Sequence, residues 1–232
     1  MSKNSVLGLI LVAALPLTAY FIVKTLSENN VEMPRRYFYD SVVVKTEKGK
    51  LSNDTLWHKV SNFKLVNQLG DTVEADQLKG KILVVDFFFT RCPNPCPTLT
   101  RNMKKMQDSY LNSDSLVQFI SITVDPQRDT VAALKNYSDR YRVRHHNWWF
   151  LTGDKQYIYD LAYNEFKSAV IDGKEVDTAF LHTDKFFLLD KSRVVRGWYT
   201  GTDDAALAKL AKDIGLLILE KDKKKKRNLF RK

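Results

Sequence analysis

The chain has 232 residues, 44% of them hydrophobic, which is enough for one globular domain with a full core. Its 9 glycines and 6 prolines exclude collagen and low-complexity sequence, and its two cysteines exclude a disulfide scaffold and an all-cysteine zinc site. Most of the net charge of +10 is local, because residues 221–232 hold eight Lys or Arg and one Asp and so carry +7. The rest of the chain carries about +3, and we expect no nucleic-acid partner.

The N-terminus contains an apolar stretch long enough for a membrane anchor. Residues 6–23 are 18 apolar or small residues, with Lys3 before them and Lys24 after them. At 1.5 Å per residue such a helix nearly crosses a bilayer core of roughly 30 Å. The stretch lacks a small-x-small cleavage site with a polar start after it, so it favours an uncleaved anchor over a signal peptide or a buried helix, with cleavage as the open alternative. It follows no Arg-rich transit segment, which favours a bacterial protein.

The composition divides the chain into four parts. We expect a membrane anchor at 1–24, a polar spacer at 25–55, a folded domain at 56–220 and a basic tail at 221–232. The tail is either a solubilising end or a segment attracted to anionic lipid beside the anchor.

The folded part alternates between strands and helices. Strands are predicted where apolar, β-branched or aromatic residues run together, at 63–66, 81–89, 116–124, 148–152, 186–190 and 194–199. Helices are predicted where apolar residues recur three or four positions apart, at 97–110, 129–141, 154–166 and from 203 onward. A hairpin is predicted at 170–176, with Asp172-Gly173 at its turn. This order predicts an α/β domain with helices on both faces of a central mixed sheet, ending as thioredoxin-like folds do.

Both cysteines lie in one short segment, TRCPNPCP at 90–97, between the predicted central strand and the first long helix. A helix N-terminus stabilises a thiolate, so we expect lowered pKa values at Cys92 and Cys96. Two thiolates four residues apart either form a disulfide or bind one soft metal ion together. The alternatives are unrelated core cysteines, or a structural disulfide that closes a very small loop and so stabilises little.

The histidines differ in their predicted surroundings. Dithiol oxidoreductases of the thioredoxin fold place a proline opposite the cysteines, whereas this chain has no proline after Pro126. His182 instead comes just before the strand that starts at Phe186, where that proline would face the cysteines. Two thiolates and an imidazole suit Cu(I), accept Cu(II), and also suit zinc with a fourth position open. We expect His58, His145 and His146 at the surface, and Met103 and Met106 in the core.

Several separate motifs resemble the Sco/SenC family, the copper-binding thioredoxin-like proteins that assist cytochrome c oxidase assembly. The resemblance covers residues 63–218. The motifs that carry it are the run from Gly80 to Pro97, VDPQRDT at 124–130, LTG at 151–153, and His182 followed by the strand at 186–190. Asp125, Arg128 and Asp129 are also residue types that an ordinary strand-to-helix loop favours. We therefore expect a structural role for them. One departure is Leu181, because many members have an acidic residue immediately before the histidine; Asp177 or Asp184 is then the remaining acceptor for the imidazole.

The resemblance implies that Cys92, Cys96 and His182 bind copper, as Cu(I), Cu(II) or both. It implies a metallochaperone that delivers copper to the binuclear copper centre of cytochrome c oxidase, or reduces the cysteines of that centre. The partners would be the copper-bearing oxidase subunit, a thioredoxin-like reductant and another copper donor. The protein would be a single-pass protein of the bacterial cytoplasmic membrane, with its soluble domain on the periplasmic side.

Two enzymatic alternatives stay open from the residues alone. Cys92 and Cys96 are suited to a thiol–disulfide reductase that works without copper delivery. A thiol peroxidase, with Cys92 oxidised to a sulfenic acid and resolved by Cys96, ranks below it because the preceding strand lacks the usual proline of that loop.

Overall fold

Residues 3–28, 32–47, 50–167 and 184–220 are described by the computed structural model of the chain. The chain divides into the units Met1–Met33 and Pro34–Lys232. The first unit contains helix α1, Lys3–Glu28, with Pro16 inside it. Among the residues that the structure describes, no helix is both long enough and apolar enough to cross a membrane. The hairpin predicted at 170–176 and the tail at 221–232 lie outside the described residues.

The second unit contains nine described strands in two sheets. The two-stranded sheet pairs β1 (Tyr39–Glu47) with β2 (Lys50–Trp57) in antiparallel fashion. This hairpin begins within the stretch 25–55, where the sequence predicts only a polar spacer. The other strands form a seven-stranded sheet: β3 (Lys64–Asn67), β4 (Thr72–Glu74), β5 (Ile82–Phe88), β6 (Val117–Thr123), β7 (Trp148–Thr152), β8 (Lys185–Leu189) and β9 (Val195–Thr200).

The seven-stranded sheet has the mixed character that the sequence predicts. Its order is β4-β3-β7-β6-β5-β8-β9. The three central strands β5, β6 and β7 are parallel, and β3, β8 and β9 each run antiparallel to a neighbour. Every residue of β5 and β6 is buried, because helices and loops cover both faces of these strands.

Three of the four α-helices described in this unit begin where a polar side chain accepts a hydrogen bond from a free backbone N–H group. The four helices are α2 (Cys96–Ser109), α3 (Val131–Arg140), α4 (Lys155–Asp160), which continues as a single π-type turn (Leu161–Glu165), and α5 (Asp204–Leu219). Thr130, Asp154 and Asp203 cap α3, α4 and α5, which confirms the helix starts expected from the sequence.

The core lies in two layers, one on each face of the sheet. Alternation along β5 sends Val85 and Phe87 into one layer, which also contains residues of α4 and the π-type turn. It sends Val84 and Phe88 into the other layer, with residues of α2, α3 and α5 and both cysteines. Met103 and Met106 lie in this second layer, as predicted. Helices therefore cover both faces, and the predicted α/β class is confirmed.

Arg196 joins the two ends of the second unit. Its side chain is 3% exposed and pairs with Asp190 at 2.9 Å and with Glu220 at 2.8 Å. The same guanidinium donates to the carbonyl oxygen of Pro34 at 2.6 Å. The backbone N–H of Tyr37 donates to the carbonyl oxygen of Val195, so residues 34–37 lie along the outer edge of β9.

Candidate metal centre

The cysteines stand at the two ends of a short loop at the C-terminal end of β5. The loop leaves the sheet after Phe88, and Cys96 is the first residue of α2. Pro95 is the N-cap residue and Pro97 lies in the first turn, where a missing N–H leaves no helical bond unmade. The sequence therefore predicted both the strand-to-helix position of the pair and the start of α2.

The two sulfur atoms are neighbours. Cys92 is 5% exposed and Cys96 is 1% exposed, and both are free thiols. A hydrogen bond joins their side chains. This contact excludes two unrelated core cysteines, and it places two soft donor atoms side by side.

The pKa of Cys96 does not follow the sequence-based expectation. Burial raises it well above the ordinary value for a thiol, and the hydrogen bond with Cys92 raises it further. A hydrogen bond with the backbone of Phe89 lowers this pKa in part. The expected lowering by the helix N-terminus is therefore wrong for Cys96, because removal from water outweighs the field of the helix. Cys96 is a protonated thiol at neutral pH unless a cation binds to it.

Asp86 lies on the same face of the sheet as the cysteines. It is 2% exposed, and its Oδ1 atom accepts no hydrogen bond from the part of the chain that the structure describes. Burial raises its pKa to about 7, and a negative charge on it would raise the pKa of Cys96 further. Asp86 is the one charged residue of β5, and the sequence pattern predicts no role for it.

Asp129 reaches the cysteine loop from the start of α3. It is 1% exposed, and its Oδ2 atom accepts from the backbone N–H of Thr90 at 3.0 Å. The side chains of Thr90 and Thr123 also donate to its carboxylate. Asp125 pairs instead with Arg128, whose side chain is 48% exposed. These contacts are consistent with the expected structural role of the three residues. Asp129 additionally binds the cysteine loop.

The third expected ligand, His182, lies outside the described residues, as do Asp177 and Leu181. Asp184 is described, and its carboxylate pairs with Lys185 at 2.7 Å. The other histidines pair with acids: His58 with Asp40, His145 with Asp139, and His146 with Asp114. The surface position expected for them is confirmed for His146, which is 57% exposed, and is wrong for His58, which is 14% exposed because Asp40 and Glu165 flank its ring.

The donor atoms present fit a soft metal ion in part. Thiolate sulfur is the ligand that Cu(I) prefers, and the cysteine pair supplies two such atoms in contact. Within the described ranges, no group of three or more His, Cys, Asp or Glu residues is placed to hold a metal. The predicted third ligand, His182, lies outside these ranges.

Fold and site together define a thioredoxin-like domain with a free dithiol at the strand-to-helix turn. The family model for SCO1/SenC matches residues 53–215, and the chain belongs to this family. A SCO1 protein homolog of Bacillus subtilis is 31% identical over 167 residues, covering 72% of this chain and 86% of that protein.

Solved structures agree with this assignment. A SCO1/SenC family lipoprotein from Bacillus anthracis has a TM-score of 0.61 and 30% identity, covering 70% of this chain and 95% of that one. BsSco, a member of the Sco family of cytochrome c oxidase assembly proteins in which a disulfide switch was identified, has a TM-score of 0.60 and 30% identity over 72% of this chain and 98% of that one. Copper-bound ScoI of Bradyrhizobium japonicum has a TM-score of 0.53 and 26% identity, covering 66% of this chain and 98% of that one.

Proposed function

We propose that this protein is a copper-binding metallochaperone of cytochrome c oxidase assembly. It delivers copper to the binuclear copper centre of the oxidase, or reduces the cysteines of that centre. The observation that carries the proposal is the pair of buried, hydrogen-bonded thiols at the start of α2 in a chain of the SCO1/SenC family. The copper bound to B. japonicum ScoI and the oxidase-assembly family of BsSco support it.

In this proposal Cys92, Cys96 and His182 hold the copper ion. Bound copper supplies the positive charge that stabilises thiolates in a buried place, where burial alone keeps Cys96 protonated. The loss of the Cys96 proton on binding, and its return on release, couples copper transfer to proton transfer. The burial of both sulfurs excludes water from the site and limits access to it.

The membrane part of the proposal is supported by the sequence. Residues 1–24 form a single-pass anchor in the bacterial cytoplasmic membrane, because residues 6–23 are apolar or small without interruption. The domain at 56–220 then lies on the periplasmic side, where it meets the copper-bearing oxidase subunit, a copper donor and a thioredoxin-like reductant. A reporter enzyme fused after residue 232 should be active only on the periplasmic side; activity confined to the cytoplasm would refute this topology.

A thiol–disulfide reductase is the second candidate, and the contact between the free thiols favours it. Cys92 would attack a client disulfide and release one client thiolate. Cys96 would then lose its proton and attack Cys92, releasing the second client thiolate. The client gains two electrons and two protons, and Cys92 and Cys96 are left as a disulfide.

A competition titration with Cu(I) on the reduced full chain in mild detergent tests the proposed function. Tight binding of one copper ion per chain is expected, weakened strongly by Cys92→Ser and by His182→Ala. His146→Ala is the matched control, because His146 is 57% exposed and pairs with Asp114. Binding no tighter than that of a buffer thiol would refute the copper proposal and leave the reductase; unchanged affinity in His182→Ala would refute the third ligand.

The client is tested in cells. A strain that lacks the protein should assemble cytochrome c oxidase poorly when copper is scarce, and the wild-type gene should restore assembly where a Cys92→Ser gene does not. Normal oxidase assembly in the deletion strain at low copper would refute the client.

A further inference from the structure

The cysteine loop is held by a residue from a different part of the chain. Residues 89–95 connect β5 to α2 without helix or strand. Asp129 lies 37 residues after Cys92 in sequence and is 1% exposed. Both of its carboxylate oxygens accept hydrogen bonds from this loop, although Asp129 is neither a proposed metal ligand nor a proposed nucleophile.

The carboxylate of Asp129 binds two groups of the same loop residue. Oδ2 accepts from the backbone N–H of Thr90 at 3.0 Å, and Oδ1 accepts from the hydroxyl of Thr90 at 2.5 Å. Two bonds from one carboxylate fix both the position and the orientation of Thr90, as a single bond would not. Hydrogen bonds to a charged acceptor are also stronger than those to a neutral one.

Asp129 is itself fixed on the scaffold. Its Oδ2 atom also accepts from the hydroxyl of Thr123, the last residue of β6. Its backbone N–H donates to the carbonyl oxygen of Asp125 at 2.9 Å, and the following residue, Thr130, caps α3. The clamp, which we define as Asp129 with Thr90 and Thr123, therefore joins the loop to the end of β6 and the start of α3.

We infer that Asp129 is a positioning residue for Cys92, acting through Thr90. Thr90 lies two residues before Cys92, and the N–H of Cys92 donates to the carbonyl oxygen of Phe89 at 3.2 Å, so residues 89–92 form one turn. Cys96 is fixed by α2, and the clamp fixes the other end of the loop. The sulfur of Cys92 is thereby kept beside that of Cys96 before any metal or client arrives, which removes the cost of ordering the loop at that moment.

This inference rests on the proposed use of Cys92 and Cys96, but part of its test needs no copper. Glutathione disulfide takes two electrons and two protons from the dithiol, giving two glutathione thiols and the Cys92–Cys96 disulfide. The ratio of disulfide to dithiol at a fixed glutathione ratio therefore reports how well the two sulfurs are held together. Exchange of the Thr90 amide hydrogen reports the clamp itself.

Asp129→Ala in the full chain should speed exchange of the Thr90 amide and lower the disulfide-to-dithiol ratio about tenfold, because the sulfurs lose their enforced proximity. Cu(I) affinity should fall roughly 10- to 100-fold, as it does when residues that orient metal ligands are removed. Thr90→Val should act in the same direction more weakly, because it keeps the backbone bond to Oδ2.

Two variants separate positioning from stability. Arg196→Met leaves the carboxylate of Asp190 buried without its cation but touches no residue of the clamp. It should lower the melting temperature while leaving the glutathione equilibrium near that of the wild type. Asp125→Asn, in the same loop as Asp129 but paired with Arg128, should change neither. If Asp129→Ala does not fold, Thr90→Val and Asp129→Asn carry the test.

The inference is overturned if Asp129→Ala and Thr90→Val lower the melting temperature but leave Thr90 exchange and the glutathione equilibrium unchanged. A wild-type chain that binds no copper refutes the proposed function alone, since the exchange and glutathione measurements still decide whether the clamp positions Cys92.

Discussion

The hydroxyl of Ser121 donates a hydrogen bond to the carboxylate of Asp86, at directly paired positions of the parallel strands β5 and β6. The indole N–H of Trp148, on the next strand, donates to the oxygen of Ser121 at 3.0 Å. The chain of donors thus runs across three strands and ends on Asp86, whose other oxygen has no partner among the described residues. A buried carboxyl with one free oxygen is most stable in its protonated form.

The stability of the protein should depend on the protonation of Asp86. Its pKa is about 7 in the folded state against 3.8 for the ordinary group, so between these values the folded state holds a proton that the unfolded chain has released. Its contribution to stability is complete below about pH 4 and is lost as the pH rises to about 7, by up to about 1.4 kcal/mol per pH unit. Asp86→Asn removes this loss. We therefore expect the unfolding free energy of the variant, relative to that of the wild type, to increase from pH 5 to pH 7 and to stay at the higher value at pH 8.

Urea unfolding of wild type and variant under reducing conditions, at pH 5, 6, 7 and 8, measures this difference. Taking the difference at each pH cancels the contribution of other acids, such as Asp108, whose pKa a hydrogen bond with Lys104 lowers. A constant difference at all four pH values would contradict a raised pKa at Asp86.

Copper binding should strengthen as the pH rises. Cys96 is protonated at neutral pH because burial raises its pKa, so a Cu(I) ion bound to its sulfur must displace that proton. Each displaced proton increases the apparent affinity about tenfold per pH unit, as long as the thiol remains protonated in the free protein. Competition titrations at pH 6.5, 7.5 and 8.5, corrected for protonation of the competing chelator, should show at least this slope. The Cys96→Ser variant should have a smaller slope, and an affinity independent of pH in the wild type would refute proton displacement.

Gly201 supports the helix that carries Cys96, and a methyl group should not fit there. A Cβ atom at Gly201 would lie 2.5 Å from a methyl carbon of Leu99 on α2 and 2.8 Å from the ring of Phe186. We expect Gly201→Ala to lower the free energy of unfolding by about 1–3 kcal/mol through this overpacking.

Gly215→Ala is the matched control, because nothing lies within 4 Å of its Cβ position in α5. It should be stabilising by about 0.5–1 kcal/mol, as alanine is favoured over glycine inside a helix. Urea unfolding at pH 7 measures both, and equal effects would show that the contacts at Gly201 relax freely.

Replacement of Arg196 should destabilise the domain and release its first residues. Arg196→Met leaves the carboxylate of Asp190 buried without its cation, which should cost about 3 kcal/mol of unfolding free energy. It also removes the bond to Pro34, so trypsin should cleave faster after Arg35 and Arg36. Lys209→Met, which removes the 66% exposed partner of Asp213, should cost under about 1 kcal/mol. Cleavage at the wild-type rate in Arg196→Met would show that other contacts hold residues 34–37.

Much of the fold could be predicted because its strands are buried on both faces. The apolar run at 81–89 became β5, Ile82–Phe88, and the run at 116–124 became β6, Val117–Thr123. The hairpin of β1 and β2 escaped prediction because its sequence alternates poorly and its valines at 42–44 are about half exposed. Its strands pair from Glu47 with Lys50 to Tyr39 with Trp57, and the contribution of such cross-strand pairs cannot be read from the composition of one strand.

The candidate site was predictable where the chemistry depends on spacing. The two cysteines come together because the loop and α2 follow directly from local sequence. Two properties could not be predicted because they depend on packing. Burial decides the direction of the pKa shift at Cys96, and the contact of Asp129 with Thr90 joins residues 39 positions apart in sequence.

Pro34 and Glu220 both contact the side chain of Arg196. Leu189, at the end of β8, pairs with Leu83 near the start of β5, whereas the cysteine loop follows the end of β5. The 7 residues of β5, at about 3.3 Å each, put roughly 20 Å between these two ends of the sheet. The contacts of Arg196 with Pro34 and Glu220 therefore lie near one end of the sheet, and the thiols lie near the other. A substitution at Arg196 thus disturbs the domain at a distance from the thiols.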